Sequence, residues 1–238
     1  MQVTDVAGLR VFGRNIWTVE GPDVRDMGIW FTTRMTIVKL SDGSLWVDSP
    51  VSVSSETLRQ ITAWGPVRYL VAGTPRHVWR LEAWHQMFPE AELWAARPTP
   101  VTLKKGPLEF TGILADTPHS GWADDIDQVA FKGNPLIEEI FFFHQESRTV
   151  ILDDLIQNHP LEKGRPLRNA LLRLTGIAYP DGGVPVDIRL SFIHRNRARR
   201  SLQKLLSWDF DNLIIAHGPC IRKDARPFVE HAFRWLKH

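Results

Sequence analysis

The chain has 238 residues, 43% of them hydrophobic and 24% charged, with a formal net charge of +2. That balance suits one large core, or a core with a small cap, and points neither to disorder nor to a general polyanion-binding surface. A single cysteine, Cys220, excludes an internal disulfide and a multi-cysteine zinc site, and no apolar run approaches the ~20 residues that span a bilayer.

Residues 8–19 read as a first strand region, with Val11, Ile16, Trp17 and Val19 apolar. Residues 35–40 and 45–48 form a β-hairpin over an Asp42-Gly43 turn, ending on Asp48. Residues 54–61 read as a Ser-capped helix, with Leu58, Ile61 and Trp64 at helical spacing. A buried strand at 67–71 then leads through Gly73-Thr74-Pro75 into a helix carrying Val78, Leu81, Trp84 and Phe88, which Pro89 stops. With a further strand at 91–95, residues 45–95 read β-α-β-α-β, a sheet covered by helices.

More strands are expected at 109–114, 129–131, 140–144 and 149–152, the last two joined by a turn at 145–148. Residues 157–190 hold Pro160, Pro166, Pro180 and Gly182-Gly183 around a short helical run at 167–174, and are the expected cap within one domain spanning 1–238. A helix at 196–206, a strand at 212–216 and a helix from Ala225 complete the chain.

Three of these strands run out of apolar residues just before a metal-ligand type. They are Tyr69-Leu70-Val71-Ala72-Gly73-Thr74-Pro75-Arg76-His77, Val150-Ile151-Leu152-Asp153-Asp154 and Leu213-Ile214-Ile215-Ala216-His217-Gly218. Two imidazoles and one carboxylate delivered to one rim suit a mononuclear zinc or iron centre with open positions. His119 is a candidate further ligand and Asp48 a support for the rim loops. His85, eight residues past His77, is ~12 Å away along a helix, and His144 sits at the wrong end of its hairpin. His159 follows Asp154 closely enough to bend back over the site. Trp79 and Trp84 flank the site on its helix, as pocket wall or core. Arg195-Asn196-Arg197-Ala198-Arg199-Arg200 reads as a solvated helix face, because no aromatic platform interleaves with it. Phosphate-loop glycines and a Gly-x-Ser-x-Gly turn are absent.

The order of these pieces resembles the metallo-β-lactamase-like superfamily over most of the chain. The region from Trp208 to Gly218, and the hairpin from Phe142 to Leu155, look most like a branch known only as a domain of unknown function. The resemblance implies an αββα sandwich with metal held at one rim. The superfamily motif T-H-x-H-x-D-H falls on residues 71–77, where Ala72 and Thr74 replace the first two histidines, Arg76 replaces the aspartate and His77 alone matches. The resemblance therefore implies that the first metal site is absent. At the second, His77, Asp154 and His217 stand for three of the usual four ligands.

Two functions are expected from this. One is a hydrolase using a single zinc or iron ion on an ester, lactone, amide or phosphoester, with Asp154 and Arg76 at the reacting centre and Arg76 orienting an anionic group. The other is a catalytically silent member of the fold that binds a ligand or partner. The expected partner is a small molecule, with no nucleic acid and no membrane. A homodimer is compatible with ten tryptophans. Met1 to Asp5 lack the basic-then-apolar pattern of a secretion signal, so the cytoplasm is the expected compartment.

Overall fold

Alternation along short apolar strands decides the layering, because successive side chains leave a strand on opposite faces. The structure, a computed structural model, describes residues 8–26, 29–97 and 108–237. The N-terminal stretch read for a secretion pattern and the side chain of Trp79 lie outside what it describes. The first sheet holds β1 (Leu9–Gly13), β2 (Ile16–Asp26), β3 (Ile29–Lys39), β4 (Leu45–Asp48), β5 (Val67–Ala72), β6 (Glu92–Ala95) and β7 (Gly112–Ile113), side by side in chain order. The second holds β8 (Ile126–Phe131), β9 (Glu139–His144), β10 (Thr149–Leu152) and β11 (Asn212–Ile215), in the spatial order β11-β10-β9-β8. The helices are α1 (Ser55–Thr62), α2 (Leu81–Met87), α3 (Pro166–Thr175), α4 (Val186–Ser191), α5 (Arg195–Ser207) and α6 (Ala225–Ala232).

Central strands are buried on both faces, so each alternates between two hydrophobic layers rather than between core and water. From β4 and β5, Leu45, Val47, Leu70 and Ala72 face outward to Ile61 of α1 and Leu81 and Trp84 of α2. Trp46, Tyr69 and Val71 of the same strands face inward and meet Ile140, Phe142, Ile151 and Ile214 of the second sheet. Trp46 and Phe142 lie edge to face at 4.9 Å across this inner layer. On the far side of the second sheet, Phe141, Phe143, Val150 and Leu213 pack on Leu202 and Leu205 of α5 and Val229 of α6. The result is the αββα sandwich.

The pairs β4–β5, β5–β6 and β10–β11 are parallel. Chain leaves these strands through the loops after Asp48, Ala72, Leu152 and Ile215, and those loops meet at one rim. Two side chains of β3 tie this rim across the sandwich. Buried Arg34 donates through Nη1 to the carbonyls of Ile215 and Gly218 and pairs through Nη2 with Glu20. Thr32 donates to the Ala216 carbonyl and accepts from the Gly218 N–H at 3.0 Å.

Several elements differ from the sequence reading. Residues 8–19 are two strands, not one, because Asn15 turns the chain with φ 57° between β1 and β2. The β2–β3 hairpin extends well beyond its apolar stretch, since Glu20, Gly21 and neighbouring polar residues pair through the backbone. The strand expected at 109–114 shrinks to β7. A 3-10 turn, Pro75–Arg80, precedes α2 and carries His77, so the α-helix starts later than its apolar spacing predicts. Residues 157–190 contain α4 as well as the expected α3.

Gly218 has φ +108°, and a Cβ there would lie 2.0 Å from the Asn158 carbonyl oxygen, whereas Gly43, at φ +85°, has nothing within 4 Å. Gly43→Ala should cost only the left-handed backbone penalty, about 1–2 kcal/mol. Gly218→Ala should cost roughly 3 kcal/mol or more, because backbone must also move. Urea melts of both variants measure the difference, and equal losses would contradict the contact between these two loops.

Candidate metal centre

His77, Asp154 and His217 each stand just beyond a strand end, on the turn after β5, two residues past β10 and two past β11. The 3-10 turn that presents His77 starts at Pro75, and Thr74 caps it by accepting the Arg76 N–H. Nε2 of His217 lies 3.0 Å from Oδ1 of Asp154, and Nε2 of His77 lies 3.5 Å from the same oxygen. One ligand atom from each of the three falls within 4.8 Å of the others. Asp154 and His217 are buried, and His77 is half-buried.

Hydrogen-bond partners fix both tautomers. Nδ1 of His217 lies 2.7 Å from the Thr32 carbonyl, which can only accept, so Nδ1 carries the proton. The Ser49 hydroxyl donates to Oδ2 of Asp153 at 2.9 Å and lies 2.8 Å from Nδ1 of His77, so that nitrogen also donates. In the neutral rings both Nε2 atoms are then bare lone pairs aimed toward a carboxylate oxygen. Such second partners orient imidazole ligands at metal sites. The other oxygen of Asp154, Oδ2, accepts from the Thr74 hydroxyl at 2.7 Å. Three acceptors converge on one point, and a cation or added protons must neutralise them.

Four buried carboxyls crowd this rim: Asp48, Glu139, Asp153 and Asp154. Burial, then the neighbouring Asp153 charge, pushes the Asp48 carboxyl well above its ordinary range. Burial also pushes Glu139 up, reinforced by Asp154 and Asp153, while backbone N–H groups favour its charged form. For Asp154 burial opposes ionisation, but the His77 charge and the hydrogen bonds from His217 and His77 outweigh it and hold the carboxyl well down. His77 behaves in the opposite sense. Burial opposes its charge, and the Asp153 and Asp154 carboxylates raise it well above its ordinary value.

The remaining sequence candidates are not gathered here. His119 packs among Tyr69, Trp94 and Trp122, with Nδ1 accepting the Gly121 N–H, so it does not join the three ligands. Its loop lies against the aromatic inner layer instead of the rim. Arg76 is exposed beside His77. Trp84 is core, its indole N–H donating to the Val51 carbonyl. His144 is held in its hairpin turn by Ser147. His159 does bend back, lying parallel to the His217 ring at 6.4 Å between centroids. Two open hollows, of about 500 and 430 Å³, are lined by residues around α5 and by none of the three ligands.

Three residues that support the candidate ligands escaped the sequence reading. Glu139 opens β9 and binds the turn after β10. Its oxygens accept from the N–H groups of Asp153 at 2.6 Å, Asp154 at 3.1 Å and Leu155 at 2.7 Å. A Glu at the head of the apolar run Ile140-Phe141-Phe142-Phe143 was the only signal. Ser49 stands at φ 53°, a conformation that places its hydroxyl between His77 and Asp153. Thr32 orients His217 from a strand 185 residues away.

Residues 14–166 match the family described as Domain of unknown function (DUF4336), which is more than half of the chain and includes His77 and Asp154. The chain belongs to that family. No curated protein sequence matches it. Among solved structures, this family member is similar to a metallo-β-lactamase from Pontibacter korlensis, at 10% identity over 97% of this chain and 98% of the other, TM-score 0.63. It is also similar to the metallo-β-lactamase FIM-1 from Pseudomonas aeruginosa in the mono-zinc form, at 13% identity over 96% and 94%, TM-score 0.64. A third likeness is to the metal-soaked Flv1 flavodiiron core from Synechocystis sp. PCC6803, at 10% identity and TM-score 0.62. There the alignment covers 96% of this chain but 60% of the other. These likenesses establish a metallo-β-lactamase-type fold for this DUF4336 protein.

Two outcomes follow for the folded state. Glu139→Gln keeps one acceptor oxygen but turns amide protons toward backbone N–H groups. It should destabilise by about 2–4 kcal/mol in urea melts, since unpaired buried donors cost more than relief of repulsion returns. A more stable variant would show that repulsion dominates. Burial, helped by the His217 and Arg168 charges, lowers His159 to about 4. A neutral folded imidazole with a lowered pKa stabilises fully above the unfolded value near 6.5, and that contribution is lost as pH falls toward 4. Between pH 6.5 and 4 the protein should lose up to ~3 kcal/mol that His159→Gln does not lose. Parallel stability–pH curves for the two proteins would contradict this.

Proposed function

We propose that His77, Asp154 and His217 hold one zinc or iron ion, and that the protein is a metal-dependent hydrolase of an ester, lactone, amide or phosphoester. The observation that carries this reading is the convergence of two imidazole Nε2 atoms on one carboxylate oxygen. Ligands held tetrahedrally at ~2.0–2.2 Å stand ~3.3–3.6 Å apart, and the spacings of 3.0 and 3.5 Å differ from that by a few tenths. The donor set, two nitrogens and one oxygen, suits either metal. Such an ion supplies Lewis acidity, which brings water near enough to deprotonation at neutral pH to serve as nucleophile.

The chain's own residues set the rest. Thr32 and Ser49 lock the rings, and Glu139 fixes the turn that presents Asp154. Because Thr74 occupies Oδ2 of Asp154, this carboxylate offers one oxygen, which favours one ion over a bridged pair. Ala72 and Thr74, without metal-binding side chains, favour the same count. Arg76, exposed beside His77, is assigned to orient a carboxylate or phosphate group of the substrate. Residues 157–190 are assigned as the cap, with the Gln157 amide on the Asp154 carbonyl and the His159 ring parallel to that of His217.

A second reading, a silent binding module of the same fold, is favoured by the loss of the first-site histidines. Metal analysis of protein purified without chelator, with hydrolysis assays on nitrophenyl esters, lactones and phosphodiesters, separates the two. We expect near-stoichiometric zinc or iron, falling below ~0.2 ion per chain in His217→Ala, with hydrolysis lost in step. Arg76→Ala should raise KM for anionic substrates about tenfold or more and leave neutral ones unchanged. Full metal with no turnover favours the binding module; no metal, even after zinc or iron is added, contradicts the proposed centre.

A further inference from the structure

Among the described residues no helix is long and apolar enough to cross a membrane. Lying on one is a different requirement, met by apolar side chains standing out of a basic surface. Residues 162–200 meet it. They hold nine lysines and arginines against three acids, Glu162, Asp181 and Asp187, in a chain whose whole net charge is +2.

Two amphipathic helices in this stretch turn their leucines outward. On α3, Leu167 and Leu174 are 87% and 79% exposed, with Leu171 between them, at the i, i+4, i+7 spacing of one helical stripe. On α4 and just beyond it, Leu190 and Ile193 are 72% and 66% exposed. The loop before β9 adds Leu136, at 67%. It is held beside the end of α4 by the Asn134–Ser191 side-chain bond and by the His194 N–H on the Gly133 carbonyl. The two helices adjoin where Arg189 Nη2 lies 2.7 Å from the Cβ position of Gly176, the cap of α3. Ile193 also forms one wall of the ~500 Å³ hollow whose other walls are His194, Arg195, Asn196, Arg197 and Arg200. Arg195, Arg197 and Arg200 are exposed, and among the described residues none of the three has an ion pair.

We propose that this face docks on an anionic phospholipid bilayer, with Leu136, Leu190 and Ile193 entering the interface and Arg195, Arg197 and Arg200 on lipid phosphates. The stripe on α3 extends the same contact. Charge selects this occupant. A second copy would bring like charge against like charge. Nucleic acid would gain nothing from leucines that stand most of the way out of the surface, and among the described residues of 162–200 the one exposed aromatic, Tyr179, offers a single ring rather than a stacking platform. A bilayer uses both features, because lipid phosphate binds the guanidinium groups and the acyl boundary takes the leucines.

Co-flotation of the full chain tests this with vesicles of phosphatidylcholine alone and of phosphatidylcholine with roughly 30% phosphatidylglycerol. Binding to the anionic vesicles should be at least about tenfold tighter and should weaken with salt. Arg195→Gln with Arg197→Gln and Arg200→Gln should lower it at least about tenfold, and Leu190→Ser with Ile193→Ser by a similar factor. Arg59→Gln, on α1, should change nothing. Thermal melts verify that each variant is folded. Equal binding to both vesicle types, or unchanged binding in both multiple variants, overturns the proposal. So does a dimer that Leu190→Ser with Ile193→Ser dissociates, or retention on duplex DNA without vesicle binding.

Discussion

Crowding of negative charge in a nearly dry space governs this molecule. Asp48, Glu139, Asp153 and Asp154 sit together at one rim, all buried, where an uncompensated carboxylate is far more costly than in water. Each is neutralised differently. Glu139 takes the N–H groups of three successive residues. Asp48 takes the Gly73 N–H at 3.2 Å and is driven toward its neutral form by burial and by Asp153. Asp153 takes the Ser49 hydroxyl, and Asp154 takes Thr74 and the two imidazoles. These bonds hold in register the loops after β4, β5 and β10, and His217 joins the loop after β11 to them.

Local pattern carried the architecture. Both-face burial along Leu45-Trp46-Val47 and Val150-Ile151-Leu152 reads directly as central strands, and the helix starts and stops around Ser54, Pro89 and Ala225 were legible from caps and breakers. The candidate ligands were legible for a related reason. A strand that ends on His or Asp carries the side chain to a sheet edge, and parallel strands carry several to the same edge. What escaped was everything set by contacts between distant residues. Thr32 reaches His217 across 185 residues and Ser49 reaches Asp153 across 104, and neither has a neighbouring signal. Arg34 was invisible for the same reason, though it ties the two sheets together. His119 misled because a histidine in a loop says nothing about which layer the loop faces.

Thr74 ties the changed motif to Asp154. It stands where the superfamily motif has a histidine, and its hydroxyl now satisfies Oδ2 of Asp154 internally. The side chain that stands in place of one motif histidine thereby orients the Asp154 carboxylate. The fold similarity spans nearly the whole chain, whereas the DUF4336 match ends at residue 166, ahead of α3 to α6 and β11. Residues 167–238, beyond that limit, contribute His217 as well as the exposed leucines and arginines of α3, α4 and α5.

The central claim is that one cation belongs where the two Nε2 atoms and Oδ1 converge. Diffraction from crystals of the zinc- or iron-loaded protein, collected on both sides of the metal absorption edge, locates such an ion directly. The account predicts one anomalous peak per chain, ~2.0–2.2 Å from Nε2 of His77, Nε2 of His217 and Oδ1 of Asp154. A peak elsewhere, a pair of peaks bridged by Asp154, or no peak at this rim in crystals soaked with excess metal would contradict it.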